Sequence, residues 1–374
     1  MVAQPVVSAV CHKLPLLGKL IPQAKAQQLA LVAGGGGFLG SHFVDALLTL
    51  GYHVWVIDSW HSGNTANLAW ATAHYPQHLK VLTADVSQTD ALAFVQAQLA
   101  DSKLTLALVA HLASVASPPR YQQRPLHTLM SNINGTQFLS KLAAQHGCTF
   151  LLASTSEVYG DPHLHPQPET YWGNVNPVGA RSCYDEGKRT AETLAYLAAH
   201  SPTELPYQPG FAVRIARIFN TFGPRMHPAD GRVVTNLLRQ ALAGLPLTVY
   251  GTGQQTRSLC YVSNLIDGLL RLALLPALAV PEHTPWLAPV NLGNDSPITM
   301  LALAQAVAEL CPTAGAVVFE PLPADDPQQR CPDLTRAKTL LGYAPTTPWQ
   351  QGLADTLAYW QADLSKSHLN PAYS

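Results

Sequence analysis

Short apolar runs recur through the first part of the chain, at Leu29–Ala33, His53–Ile57, Lys80–Ala84, Leu104–Leu112, Thr149–Ala153 and Phe211–Phe219. They are rich in β-formers and apolar on successive positions, as strands buried on both faces require. Longer helix-compatible segments lie between them, the clearest at Phe38–Leu50. Strand and helix alternating in this way predict a parallel sheet with crossover helices. From about Gly223 the rhythm turns irregular and rich in Gly and Pro, with helix candidates at Val233–Ala243, Thr299–Leu310 and Trp349–Leu364. That half reads as a smaller mixed α/β lobe. Ser201–Gly210 and Pro276–Pro289 read as surface loops, and no internal repeat is visible.

Composition narrows the class. The chain has 374 residues, 12% of them charged, and a formal net charge of −1. No global field draws it to nucleic acid or to an anionic membrane, so any anionic ligand must be held locally. The six cysteines, Cys11, Cys148, Cys183, Cys260, Cys311 and Cys331, have no paired spacing. A reducing cytoplasm therefore fits better than a disulfide scaffold, and no metal is expected. His163 and His165 lie two apart on a Pro-rich stretch without a ligand set around them. The segment 1–28 contains Pro5, Pro15 and Pro22 and is interrupted by His12, Lys13, Lys19 and Lys25, too short of apolar residues for a membrane span. It reads as an N-terminal extension; a targeting segment is the weaker alternative, for it lacks Arg and a cleavage site.

Directly after the first predicted strand, Gly34, Gly37 and Gly40 open the Phe38–Leu50 helix with the spacing G-x-x-G-x-x-G. Glycines there permit a tight turn and let a pyrophosphate approach free N–H groups at a helix start, beside Phe38 and Leu39. The next strand ends at Asp58, whose carboxylate suits two ribose hydroxyls and repels a 2′-phosphate. NAD is thus preferred over NADP. Together these features predict a Rossmann-type doubly wound sheet over 29–222. The lobe at 223–374 would hold substrate and return some segments to the first domain. Asp85 and Val86, and Leu112 and Ala113, end the third and fourth strands, where such folds line the cofactor; capping the following helix is the other reading of Asp85.

The segment Ser154-Thr155-Ser156-Glu157-Val158-Tyr159-Gly160 precedes Tyr184 and Lys188, which share a helix face at i, i+4. A phenol beside a cation is a candidate base for a sugar hydroxyl.

These residues resemble the extended short-chain dehydrogenase/reductase family, and within it the UDP-glucuronate decarboxylases. The likeness runs through His111–Pro118, Ser154–Pro162, His165–Gln167, Tyr171–Pro177, Arg181–Arg189, Ala216–Met226, Asp230–Val234, Pro246–Gly251 and Gln255–Ser258. It departs at Val115, where Pro is usual, at Arg124, where Asn is usual, and at Asn264, where Asp is usual. The resemblance implies that Tyr184 takes the C4 hydroxyl proton, Lys188 holds the nicotinamide ribose, and Thr155 bonds the C4 oxygen. Ser156 replaces the acid of the sugar 4,6-dehydratases and can bond a substrate carboxylate that an acid would repel. Glu157 would assist sugar distortion or a water that protonates C5. Arg330 would pair with the departing carboxylate or touch the diphosphate. The UDP-sugar site would include Ser117, Tyr121, Asn220, Arg232, Val233, Tyr250, Gln255 and Arg257, whereas Glu169 and Arg181 could equally be structural ion-pair members. A homodimer through Leu126–Gln145 and Tyr184–His200 is expected on the same ground. Another nucleotide-sugar 4-epimerase or dehydratase, or a catalytically silent nucleotide-sugar binder, are the alternatives.

Overall fold

The computed structural model describes residues 27–88, 90–275, 285–321 and 329–366. The expected extension therefore lies almost wholly outside the described residues, as do parts of the 276–289 loop and of the segment before Arg330.

Six strands follow the predicted apolar runs: β1 (Gln28–Ala33), β2 (His53–Asp58), β3 (Leu79–Thr83), β4 (Thr105–His111), β5 (Thr149–Thr155) and β6 (Ala212–Ile218). A seventh, Val290–Leu292, pairs parallel with β6, and the spatial order is Val290–Leu292, β6, β5, β4, β1, β2, β3. Every pair in this sheet is parallel. This is a doubly wound Rossmann-type sheet. Side chains alternate across it: Ala30 and Val32 of β1 join one apolar cluster, while Leu29, Leu31 and Ala33 join the other. Burial on both faces is why these strands read as unbroken hydrophobic runs.

One face is covered by the Pro125–His146 and Ser182–His200 helices, which meet the sheet through Leu139, Leu142, Ala143, Ala144, Ala191, Ala195, Ala198 and Ala199. Small side chains let the helices approach closely. The other face carries Phe38–Thr49 and Val262–Ala273. Smaller sheets form beyond them, with Leu247–Tyr250 pairing Val317–Glu320, and Thr256–Ser258 lying between Pro297–Thr299 and Gln329–Arg330. The last pairing brings Arg330 beside Arg257. Thr299 caps the Met300–Leu310 helix by accepting from Ala302 N at 3.1 Å, so the helix starts one residue after the predicted boundary.

The strand order reverses between β1 and β4, and a cleft opens at the carboxyl ends there. Asn264, one of the departures from the family pattern, does not face this cleft. Its amide accepts from Thr346 N and Thr347 N and donates to the Thr347 carbonyl, anchoring the chain before the last helix.

Candidate active site

A cavity of about 910 Å³ runs along the cleft, and the candidate catalytic, cofactor-binding and substrate-binding residues named from the sequence line it, Glu169 excepted. Residues more than two hundred positions apart, such as Gly34 and Gln255, contribute to one wall system. The fold explains the convergence: β1, β2, β3, β4, β5 and β6 all end at this crevice.

At one end, β1 turns at Gly34, with φ of +81°, into the Phe38–Thr49 helix. A Cβ on Gly34 would fall 2.6 Å from Ala113 N, and one on Gly40 would fall 2.0 Å from Gly34 O. Both glycines are thus required by close backbone approach. No side chain caps the helix start at Gly37, so its first N–H groups remain available to a diphosphate. Asp58 sits 22 residues beyond Gly36 and accepts from Gly36 N at 2.9 Å and Trp60 N at 2.8 Å. Burial raises its pKa, and these two hydrogen bonds oppose the rise. The carboxylate is thereby fixed at the cavity wall, one edge of it committed to the glycine turn. Asp85 accepts from Ser87 N at 2.9 Å through one oxygen and meets His127 Nε2 at 2.9 Å through the other. It therefore combines the turn-capping role with a place in the cavity. Burial alone would raise its pKa, but the Ser87 bonds and His127 outweigh that and hold it below the ordinary carboxylate value.

At the middle, Thr155 ends β5 and Tyr184 projects from the Ser182–His200 helix, buried against Tyr121 with the two rings parallel and centroids 5.3 Å apart. Burial raises the Tyr184 phenol well above its ordinary value, and the Thr155 hydroxyl, hydrogen-bonded to it, opposes the rise. Lys188 lies 5.9 Å from the Tyr184 ring centroid and donates to the Ala153 carbonyl at 2.7 Å. Burial lowers its pKa to about 7. The sequence suggested a cation that makes phenolate accessible near neutrality; here the low-polarity surroundings weaken both the anion and its cation.

Beside Thr155, the short helical turn Ser156–Tyr159 aims Glu157 between two guanidiniums, and it is ion-paired to both Arg181 and Arg330. Burial acts to raise the Glu157 pKa, but Arg330 and Arg181 more than offset it, so the carboxylate stays ionised. Arg330 also donates to the Gly160 carbonyl at 3.1 Å, and its Nε is buried without a hydrogen-bond partner. Arg181 approaches Asp185 at 3.7 Å. Burial, with Glu157 adding, lifts Asp185 to about 7 despite the arginines. Below about pH 7, where Asp185 is neutral, two guanidiniums face one carboxylate and leave a surplus positive charge. Arg181, left undecided from sequence, belongs to this cluster. Glu169 does not line the cavity: it accepts from Asn291 N at 2.9 Å.

The far end is formed by Ser117, whose hydroxyl donates to the Asp230 carbonyl at 2.6 Å, with Asn220, Arg232, Val233, Tyr250, Gln255 and Arg257. Arg232 pairs with Asp230 at 3.1 Å through its NH2 group, and Gln255 donates to the Tyr250 carbonyl at 2.9 Å. Tyr250 is half-exposed, leaving an aromatic face for a flat base. Val115, another departure from the family pattern, lines the cavity; Arg124, the third, precedes the Pro125–His146 helix and does not. Among the residues that sequence reasoning missed, His61 and His127 face the cavity near Asp85 and carry no motif, and Asp185 gains significance only through its neighbours.

A doubly wound sheet, a glycine turn closed by an acid on the next strand, and a buried Thr-Tyr-Lys set define a dinucleotide-dependent oxidoreductive enzyme of the short-chain type. The model of the NAD dependent epimerase/dehydratase family matches residues 30–284, and the chain belongs to that family. It is 43% identical over 340 residues to UDP-glucuronic acid decarboxylase 1 of Xenopus tropicalis, covering 91% of this chain and 74% of the relative. It is 44% identical over 325 residues to UDP-glucuronic acid decarboxylase 5 of Arabidopsis thaliana, covering 86% of each. Among solved structures, UDP-glucose 4-epimerase of Thermotoga maritima, determined with UDP-glucose, superposes with a TM-score of 0.74 at 26% identity, covering 90% of this chain and 99% of the other. The cofactor is NAD. Among the described residues no helix is long and apolar enough to cross a membrane.

Proposed function

We propose that the protein decarboxylates UDP-glucuronate to UDP-xylose and carbon dioxide through a 4-keto sugar, with NAD recycled on the enzyme. The observation that carries this reading is the Arg181–Glu157–Arg330 cluster next to Thr155 and Tyr184, whose surplus positive charge suits a substrate carboxylate. The names of the curated relatives support the same substrate.

A hexuronate does not expel carbon dioxide directly, because the carbanion at C5 would lack stabilisation. Tyr184 takes the C4 hydroxyl proton while Thr155 holds the C4 oxygen. Bound NAD would supply the acceptor, and later the donor, of the C4 hydride. The carboxylate is then β to a ketone, and cleavage of the C5–C6 bond places its electron pair in an enolate. Arg330 faces this charge and stabilises it electrostatically, since a guanidinium is too weak an acid to act as the proton donor. Glu157, locked between two arginines, positions Arg330 and orients the water that protonates C5. Tyr184 returns its proton to the C4 oxygen. Lys188 holds the nicotinamide ribose, and Ser156 bonds the substrate carboxylate. Asp58 holds the adenosine ribose and excludes a 2′-phosphate, Arg232 and Arg257 neutralise the diphosphate, and Tyr250 stacks on uracil. The Pro125–His146 and Ser182–His200 helices, with half-exposed Leu197 and Tyr196 and exposed Leu126, support a homodimer. The free thiols of the five described cysteines support a cytoplasmic setting.

Incubating the purified protein with UDP-glucuronate tests the assignment. Gas release with formation of a UDP-pentose is expected. UDP-galacturonate without gas would instead favour a 4-epimerase, a reading kept by the 25% identical UDP-glucuronic acid 4-epimerase of Bacillus cereus.

A further inference from the structure

His61, Asp85 and His127 come together at the adenosine end of the cavity, from three separate elements: the loop after β2, the turn after β3, and the Pro125–His146 helix. Their candidate ligand atoms all lie within 4.8 Å of one another. His127 Nε2 is 2.9 Å from Asp85 Oδ2, and His61 Nδ1 is 4.0 Å from the same oxygen. A tetrahedral zinc site with bonds of 2.0–2.2 Å has ligand–ligand edges of about 3.4 Å, so the two edges bracket the value a metal requires. Two imidazoles and a carboxylate form a donor set suited to Zn²⁺ rather than Mg²⁺. We propose that these three residues form a Zn²⁺-class cation site whose occupancy excludes the adenine half of NAD.

The local chemistry favours this. Ser59 Oγ lies 2.7 Å from His61 Nδ1 and holds the ring beside Asp85 until a cation takes that nitrogen in its place. Asp85 has already committed its other oxygen to Ser87 N, which leaves Oδ2 as the edge presented to the histidines. His127 Nδ1 is buried without a partner and carries the proton once Nε2 coordinates. Among the described residues three protein donors meet here, and all three line the cavity, so a fourth position opens on it. A cation there occupies the carboxylate edge against which the adenine would pack.

The exclusion clause rests on the placing of adenosine by Asp58 and Asp85; the site itself does not. Equilibrium dialysis of Zn²⁺ against the full-length chain, with and without saturating NAD, separates the two. Without NAD, one Zn²⁺ per chain is expected. The His61→Leu variant and the His61→Leu/His127→Gln variant should each bind it at least tenfold more weakly, with unchanged circular dichroism. Equal zinc binding by wild type and variants overturns the site. Saturating NAD should weaken zinc binding at least tenfold. Undiminished zinc binding under NAD, with the variants still defective, overturns the exclusion and leaves the site standing.

Discussion

Replacing Arg330 with Ala separates the oxidation from the loss of carbon dioxide. Arg330 is buried, pairs with Glu157, and donates to the Gly160 carbonyl at 3.1 Å. Its removal leaves Arg181 as the sole partner of Glu157, so the surplus positive charge in the cluster falls to zero. The Thr155, Tyr184 and Lys188 geometry is not touched, because Lys188 is held by the Ala153 carbonyl on β5. A charged donor aimed at developing negative charge contributes about 3–4 kcal/mol to a transition state, or roughly a hundred- to a thousandfold in rate. Single-turnover experiments with UDP-glucuronate should therefore show NADH absorbance rising at near the wild-type rate and then persisting, while carbon dioxide appears a hundred- to a thousandfold more slowly. If both steps slow equally, the cluster organises the whole site rather than decarboxylation. If carbon dioxide release is unchanged and only the apparent KM rises, Arg330 is a diphosphate contact and the electrostatic account is wrong.

Other variants probe the remaining parts. Tyr184→Phe should lower turnover by about 10²–10⁴-fold with NAD still bound by calorimetry, because only the proton acceptor is lost. Lys188→Met should abolish hydride transfer and yet stabilise the NAD-free protein at pH 7. The lysine's folded pKa is lowered to about 7, so the unfolded chain binds the extra proton between there and its ordinary value. Wild-type stability should accordingly rise with pH across that window, and the variant's denaturation midpoint should lack this contribution. Asp185→Asn mimics the protonated acid and should leave activity near neutral pH within severalfold. The wild type should lose activity relative to it above pH 7 as Asp185 ionises and cancels the cluster's surplus charge. Gly40→Ala should destroy NAD binding, since a Cβ there would stand 2.0 Å from a backbone oxygen, as a cofactor titration would reveal.

The central sheet was legible because its strands are buried on both sides: Leu29–Ala33 and Thr149–Ala153 are apolar at every or nearly every position, and periodicity survives folding. The glycine turn and Asp58 were legible because close backbone approach restricts residue type. Val290–Leu292 was not, for three residues carry no period and their strand identity depends on β6 beside them. The lobe resisted for the same reason: its sheets are built from strands of two to four residues. Most residues that line the deep part of the cavity were named, but their electrostatics were not. That Glu157 is clamped by two arginines, that burial weakens Lys188, and that Asp85 faces two histidines are consequences of long-range packing. No spacing in the chain records them.

The most direct test of the account uses UDP-glucuronate deuterated at C4, turned over in ordinary water, with the product examined by NMR. UDP-xylose should keep the deuterium at C4, gain one solvent hydrogen at C5, and appear with one carbon dioxide and no net NADH. Loss of the C4 label to solvent, or a product that retains the carboxylate, would contradict it.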